Sequence, residues 1–427
     1  MAQMSAALAA SDIVRSAIRF GTSLLVARGL GRDAFGRWTL WLAIASALTV
    51  AFDLGLRSLL TREAGRDESR VGALMVGALT ARLALFLPIA LAICFAVPAL
   101  GIASGSDVRA AVVLTTTGLT YGCAAAVHQA SPRRLAAVLS IETAGALAQA
   151  GGTAILVLRG AGVADLLVLA ALVQGAQALA ALVLWRAAAP GDRLAAPSPA
   201  LAWGLLRRSW PFALSSLLAN AQARVAPLLL GALAGAGDVA SFGVAVRLES
   251  VARRLAYAVF GAAFPIFAGT EEEEPSERLR SRFDAGVQWF AAASGAALVL
   301  WAAPLVRLTY GPAFSAARWP LVWAGIGLVP SLVNSGREVF LYATGREQTA
   351  LRWGAVALAV QVAGCVLLVP RFGASGAMAA LAAGEMGVWL PVRNASAGRH
   401  RVARTRKSEP PYQRRFAVGV GAEPHAE

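Results

Sequence analysis

Residues 24–36, LLVARGLGRDAFG, return in looser form at 228–243 as LLLGALAGAGDVASFG, and in both places the stretch joins one long apolar segment to the next. A second pair, LVLRG at 156–160 and LVPRFG at 368–373, recurs at nearly the same offset. Two matches at one offset mark a duplicated unit, and such self-similarity decides the architecture before any local reading. The chain is expected to fold as two related halves. What the halves are made of follows from the segments between the matches.

Those segments are windows of about 20 mostly apolar residues, the length a helix needs to cross roughly 30 Å of hydrocarbon. Twelve are expected, near 8–27, 38–59, 74–98, 108–129, 135–158, 163–185, 206–233, 239–268, 285–308, 319–343, 348–369 and 374–392. Open strands leave backbone groups unsatisfied in lipid, so the segments read as helices. The fold class is all-α: a polytopic membrane protein of about 12 transmembrane helices in two six-helix lobes around a central cavity. An even number of spans per half keeps the halves parallel, related by an axis along the membrane normal. The lobes are assigned to 1–185 and 206–392, joined by a polar cytoplasmic linker at 186–205 and followed by a basic, disordered cytoplasmic tail at 393–427. No cleavable signal peptide is expected, because the first span carries Asp12, Arg15 and Arg19. The run EEEEPSERLRSR at 271–282 reads as a solvated linker.

Composition agrees. The 427 residues are 57% hydrophobic and 15% charged, against roughly 45–50% and 25% in soluble domains. The mean hydropathy is +0.61. A net charge of +15 would suggest nucleic acid in a soluble protein. Here, however, basic residues in connections after even-numbered spans, such as Arg62, Arg66, Arg133, Arg134, Arg207 and Arg208, outnumber those after odd-numbered spans by about two to one, even without the tail. By the positive-inside rule both termini are cytoplasmic, and the loop charge meets anionic headgroups rather than nucleic acid. Cys94, Cys123 and Cys365 stand singly, and His128, His400 and His425 form no cluster. No zinc-protease, P-loop or nucleophile-elbow motif is present, so no metal, cofactor or catalytic residue is expected.

The charges inside the spans carry the functional signal, because a charge at mid-bilayer costs roughly 2.5–3.5 kcal/mol unless it faces a cavity, a partner or the interface. Asp12, Arg15, Arg19 and Thr22 share one face of the first span at i, i+3, i+7, i+10 spacing. The alternative for them is an Asp12–Arg15 ion pair with Arg19 snorkelling to the interface. Ser216, Asn220 and Arg224 form a similar stripe in span seven. In span eight Arg247, Ser250 and Arg254 share a face, whereas Glu249 and Arg253 form an i, i+4 pair that neutralises itself. Asp53 and Arg57 in span two are as readily a structural pair as a substrate contact. Arg82, Glu142, Asp165, Arg337, Glu338 and Glu385 read singly as packing or interface residues, and Pro330 should kink span ten. On the cavity reading the central surface is arginine-rich and short of acids. Arginine donates in a planar fork and never loses its charge, so the expected ligand is a phosphate or pyrophosphate group. Arg15, Arg19, Arg224, Arg247 and Asn220 are the candidate binding residues.

The stretch LLVARGLGRDAFGRWTLWLAIA at 24–45, followed by FDLGLRSLLTRE at 52–63, resembles the first hairpin of the polysaccharide flippases known as Wzx, members of the multidrug/oligosaccharidyl-lipid/polysaccharide exporter superfamily. WPFALSSL at 210–217, the element at 228–243 and YGPAFSAARWP at 310–320 are similar to that family in the same order. The resemblance implies two six-helix lobes whose helices one, two, seven and eight line the cavity. It also implies translocation of an undecaprenyl-pyrophosphate-linked oligosaccharide to the periplasmic leaflet of the inner membrane during surface polysaccharide (lipopolysaccharide) biosynthesis. The implied partners are that lipid-linked oligosaccharide, membrane lipids and polysaccharide polymerase and assembly proteins. Many relatives have an acidic residue in span seven where this chain reads AQARVAPLLLG, so ion coupling, if used, falls to Asp12 or Asp53. The rival readings are a multidrug or small-molecule exporter of the same superfamily, whose sites favour carboxylates and aromatics, and a membrane-bound polymerase or ligase, which would need a large periplasmic loop.

Overall fold

The computed structural model describes residues 2–66, 71–101, 103–129, 132–188, 196, 198–269, 273–343 and 347–399, and among these the regular structure is helical, with no strand. The helices are α1 (Ala2–Asp53), α2 (Leu56–Arg66), α3 (Val71–Ala99), α4 (Gly105–Gln129), α5 (Pro132–Leu158), α6 (Val163–Ala188), α7 (Pro199–Leu233), α8 (Ala236–Gly269), α9 (Glu273–Leu300), α10 (Ala302–Thr309), α11 (Arg318–Ala343) and α12 (Glu347–Arg399). Two of them are double. α1 breaks at Gly31 (φ 81°) and α12 at Gly373 (φ 52°), so each is two arms folded about a glycine. Counting the arms gives twelve span-length segments among the described residues. Eight of the helices are long and apolar enough to cross a membrane on length and composition alone. The protein is a multi-pass membrane protein.

The duplication survives in the backbone. Gly31 and Gly235 turn the chain after the first and seventh spans, Gly101 and Gly311 after the third and ninth, Gly160 and Gly373 after the fifth and eleventh, each at positive φ. A left-handed residue reverses the chain in one step, and glycine alone adopts it without a Cβ penalty. All six turns close odd-to-even connections, so they lie on one face of the molecule, called the turn face below. Met1–Val388 forms one compact unit. α1 packs on α4 and α5 of the first half and on α8 of the second, while α7 packs on α2 and α3. The first helix of each half thus bridges to the other.

Several boundaries differ from the sequence reading. Span two stops at Asp53 rather than 59, because Leu54 and Gly55 both take positive φ and send the chain into α2. Leu56, Leu59, Leu60 and Ala64 recur at helical spacing and bury against Val71, Met75, Ala126 and Trp185, while Arg57 and Arg62 face out. Span nine stops at Leu300, where Trp301 breaks the helix and α10 follows. The acidic run expected as a linker is largely the start of α9, and carboxylates in a first turn are what a helix dipole favours. α12 continues to Arg399, past the expected limit at 392. α7 begins at Pro199, inside the expected linker; residues 189–195 and 197 of that linker and the remaining tail (400–427) lie outside the described residues, as does the side chain of Ser216.

The second arm of α1 lies so close to α8 that a Cβ on Gly36 would fall 1.9 Å from the carbonyl oxygen of Ala236. Backbone cannot yield as a side-chain tip can. Gly36→Ala is expected to cost about 1–3 kcal/mol through overpacking, read as a fall in melting temperature in detergent. Gly21, with nothing within 4 Å of its Cβ position, should accept Ala without loss.

Candidate functional site

The buried arginines of the first half are paired within it. Arg15 is buried (6% exposed) and reaches Glu142 of α5 at 2.9 Å, Asp12 at 3.4 Å and the Ser11 hydroxyl at 3.2 Å. Tyr121 donates to the other Glu142 oxygen at 3.3 Å. Asp12 also meets Arg254 of α8 at 3.4 Å, an ion pair between the halves. Arg82, fully buried, is paired with Asp53, and its second nitrogen donates to the Leu119 carbonyl oxygen at 3.1 Å and to Cys123 Sγ at 2.6 Å. Arg19 is exposed on the first arm of α1 and has no polar partner among the described residues.

The second half holds a cavity of about 1060 Å³ between α7, α8, α11 and α12, bordered by Thr39, Leu42 and Ala43 of α1. At the turn face it is capped by buried Phe242 and Gly243. At the other end it reaches Tyr257 and Tyr342, both exposed. Arg224 and Arg247 both line it. Arg247 donates to the Gly243 carbonyl oxygen at 3.0 Å and to the Thr39 hydroxyl at 3.3 Å, and its guanidinium lies over the rings of Phe35 (4.9 Å) and Trp38 (5.5 Å). Arg224 is part-buried, with its Nε unpartnered. Neither is paired with a carboxylate among the described residues. Arg253, also on the wall, pairs with Glu249, as the i, i+4 spacing implies, and donates to the Ser331 hydroxyl at 2.7 Å.

The site therefore gathers only part of the residues expected from sequence. Arg224 and Arg247 both line the cavity, whereas Arg15, Asp12 and Asp53 are held in ion pairs elsewhere and Arg19 lies outside the cavity. Asn220 is on α7, one turn before Arg224 and not among the lining residues. The surface is also not short of acids. Glu249, Glu338 and Glu385 line it with the three arginines. The signal for this was present in α11: Ser331, Asn334, Ser335 and Glu338 repeat at i, i+3, i+4, i+7 and form one polar face in an apolar helix.

Against the turn face, α1 is tied to the second half independently of the cavity. Arg28 donates to the Thr309 and Leu308 carbonyls at 2.8 and 2.7 Å, and Arg32 donates to the Gly237 carbonyl at 3.2 Å. Ser23 and Tyr310 share a hydrogen bond of 3.0 Å, and Phe35, Tyr310 and Phe314 stack within 6 Å of one another.

The polysaccharide biosynthesis protein family matches residues 2–271. The chain belongs to that family. No curated protein matches it in sequence. Among solved structures it is similar to the lipid II flippase MurJ in an inward closed conformation, with a TM-score of 0.73 at 11% identity over 90% of this chain and 86% of that one. It is also similar to an inward-facing multidrug resistance MATE family transporter of the MOP superfamily (TM-score 0.60, 17% identity, 95% and 96% covered). A third is a MOP superfamily transporter from Pyrococcus furiosus, described as having a binding pocket of reversed polarity (TM-score 0.57, 16% identity, 95% and 96% covered). Family and fold together make this a multi-pass membrane protein of the polysaccharide biosynthesis family with a fold like that of the MurJ and MATE structures.

Removing one partner of a buried ion pair leaves the other charged and unsolvated, which is worse than removing both. Asp53→Leu and Arg82→Met are each expected to cost about 3 kcal/mol, and the double variant should recover most of the lost melting temperature. Recovery assigns Asp53 to structure rather than to ion coupling. A stable Asp53→Leu single variant that lost transport would assign it the opposite way.

Proposed function

We propose that the protein is a flippase, not an enzyme, and moves an undecaprenyl-pyrophosphate-linked oligosaccharide from the cytoplasmic to the periplasmic leaflet of the inner membrane. The observation that supports this reading most directly is that Arg224 and Arg247 both line the cavity without carboxylate partners among the described residues. The barrier to such a substrate is its charged, hydrated headgroup; the isoprenoid tail can stay in lipid while the headgroup travels inside the protein. With both termini cytoplasmic, the turn face is periplasmic, and the described conformation, capped there and reaching exposed Tyr257 and Tyr342 at the far end, is inward-facing. Arg224 and Arg247 take the pyrophosphate, with Asn220 supporting from the same helix. Arg19 and, once its ion pairs exchange, Arg15 guide it along the first arm of α1.

Outward movement then requires the lobes to rock. The contacts that hold the turn face closed, from Arg28, Arg32, Tyr310 and Phe314, must part, and those across the cytoplasmic side must form. An interior-negative potential drives an anion outward by roughly 2.3 kcal/mol per charge per 100 mV, so no ion-coupling carboxylate is required.

One observation favours a second reading, export of cationic small molecules. Glu338 and Glu385 share the cavity with Trp323, Trp353, Tyr257 and Tyr342, the residue types suited to organic cations.

Proteoliposomes separate the two. A fluorescent prenyl-pyrophosphate-linked oligosaccharide should cross at a rate that rises when a potassium gradient with valinomycin imposes a potential driving anions across. The Arg224→Ala/Arg247→Ala variant, if its melting temperature is preserved, should lose about tenfold or more of that rate. Ethidium uptake by the wild type, with no movement of the lipid-linked sugar, would establish the exporter instead.

A further inference from the structure

The flippase reading uses the arginines of the cavity and leaves its carboxylates without a task. Glu385 of α12 accepts from Ser331 at 3.2 Å and from Asn334 Nδ2 at 3.0 Å, and the Asn334 amide also donates to the Glu385 carbonyl at 2.9 Å. Both donors are neutral, and Glu385 forms no ion pair among the described residues. Arg253, which shares Ser331 with Glu385, is committed to Glu249 and Ser331. Glu338 stands one turn beyond Asn334 on the same face and has no ion pair among the described residues. Asn334 itself is 4% exposed and lines the cavity, yet its Oδ1 has no partner. A buried amide oxygen left unpaired costs free energy and calls for a donor from outside the protein. The Asn334 Oδ1 and the Glu338 and Glu385 carboxyls are all acceptors.

The position of this acceptor patch matters. At 1.5 Å per residue, Arg247 and Arg224 lie roughly 15 Å from the turn face, Asn334 roughly 24 Å and Glu338 roughly 30 Å. The patch thus lies between the arginines and the far end. A headgroup whose pyrophosphate sits at the arginines would extend its first sugars past Asn334 and Glu338. Sugar hydroxyls are donors, and the C–H faces of sugar rings pack on aromatic rings such as Trp353 and Tyr342, which line the same end. With a volume of about 1060 Å³ the cavity is at the top of the usual range for small-ligand sites, large enough for more than one sugar ring.

We infer that Asn334, Glu338 and Glu385 form the glycan subsite of the cavity, accepting from sugar hydroxyls, and that they select for an uncharged sugar next to the pyrophosphate. The inference rests on the flippase reading. A uronic or other acidic sugar would bring a third carboxyl group beside Glu338 and Glu385, neither of which pairs with an arginine among the described residues, and acidic groups crowded together in a partly desolvated site are a strong means of exclusion.

The test is a binding measurement on the full-length protein in detergent. Three probes are titrated: a short-chain prenyl pyrophosphate, the same lipid carrying one N-acetylhexosamine, and the same lipid carrying one hexuronate. The neutral sugar should tighten binding by about tenfold over the bare pyrophosphate and the hexuronate should not. In Glu338→Gln/Glu385→Gln, checked for an unchanged melting temperature, the preference for neutral over acidic sugar should shrink to within about twofold. Arg224→Ala should weaken all three probes. Should the bare pyrophosphate fail to bind the wild type, the flippase reading itself is wrong and the subsite falls with it. Pyrophosphate binding to which neither sugar adds anything, or a preference that persists in the double variant, overturns the subsite alone. Replacing sodium by choline should leave the sugar preference intact. A preference present only in sodium would assign the carboxylates to an ion.

Discussion

A charged side chain in hydrocarbon must find a partner, a cavity or the interface, and most of this protein's interior is arranged around that demand. Arg15 finds Glu142, Arg82 finds Asp53 and Arg253 finds Glu249. Each pair joins two helices or two turns of one, so the charges that make the spans unusual also fix how they pack. Burying such pairs does not in itself add stability, since desolvation offsets most of the attraction. What the pairs do provide is register: Arg82 reaches Asp53, Leu119 and Cys123 together only when α1, α3 and α4 are correctly aligned.

The same demand gives the two halves different characters although they share a topology. In the first half the polar groups close on one another. In the second, Arg224, Arg247, Glu338 and Glu385 surround open volume without neutralising each other, and the Asn334 Oδ1 is buried without a partner. Opposite charges in one low-dielectric cavity attract, and a chain free to relax would bring them together. They are kept apart by prior commitments: Arg247 to Thr39, Gly243 and two aromatic rings, Glu385 to Ser331 and Asn334. Holding unpaired charge in fixed positions is what a preorganised binding site requires, because the ordering cost is met during folding rather than on binding.

Much of this was legible in the residues. The repeat at 24–36 and 228–243 gave two halves, and the turn glycines Gly31 and Gly235 fall inside it. The stripe of Arg224 and the face of Arg247 were visible from spacing alone. The α2 break was not, because Leu54 has nothing in its identity to announce a positive φ and the apolar pattern runs on without interruption. Arg15 read as a cavity residue because its partner, Glu142, is on a different helix, and no periodicity within one segment can supply a contact between two. Glu338 and Glu385 were set aside for the converse reason. Each is isolated on its own helix, and only the packing of α11 on α12 makes them neighbours of one space.

Arg247 connects these themes. It lies on the cavity wall and simultaneously over Phe35 and Trp38, next to the aromatic group that closes the turn face. A cation–π contact is worth about 0.5–2 kcal/mol, whereas a guanidinium hydrogen-bonded to a phosphate dianion is among the stronger noncovalent contacts in proteins. On the flippase reading, an arriving pyrophosphate competes with those rings for the same guanidinium and would win. The aromatic group would then lose the charge that holds α8 against the second arm of α1. A ligand shifts a conformational equilibrium only by the difference in its affinity for the two states, and a side chain that serves both the closure and the ligand is where such a difference arises. Substrate binding and release of the turn face would be linked through one residue, with no separate relay between them.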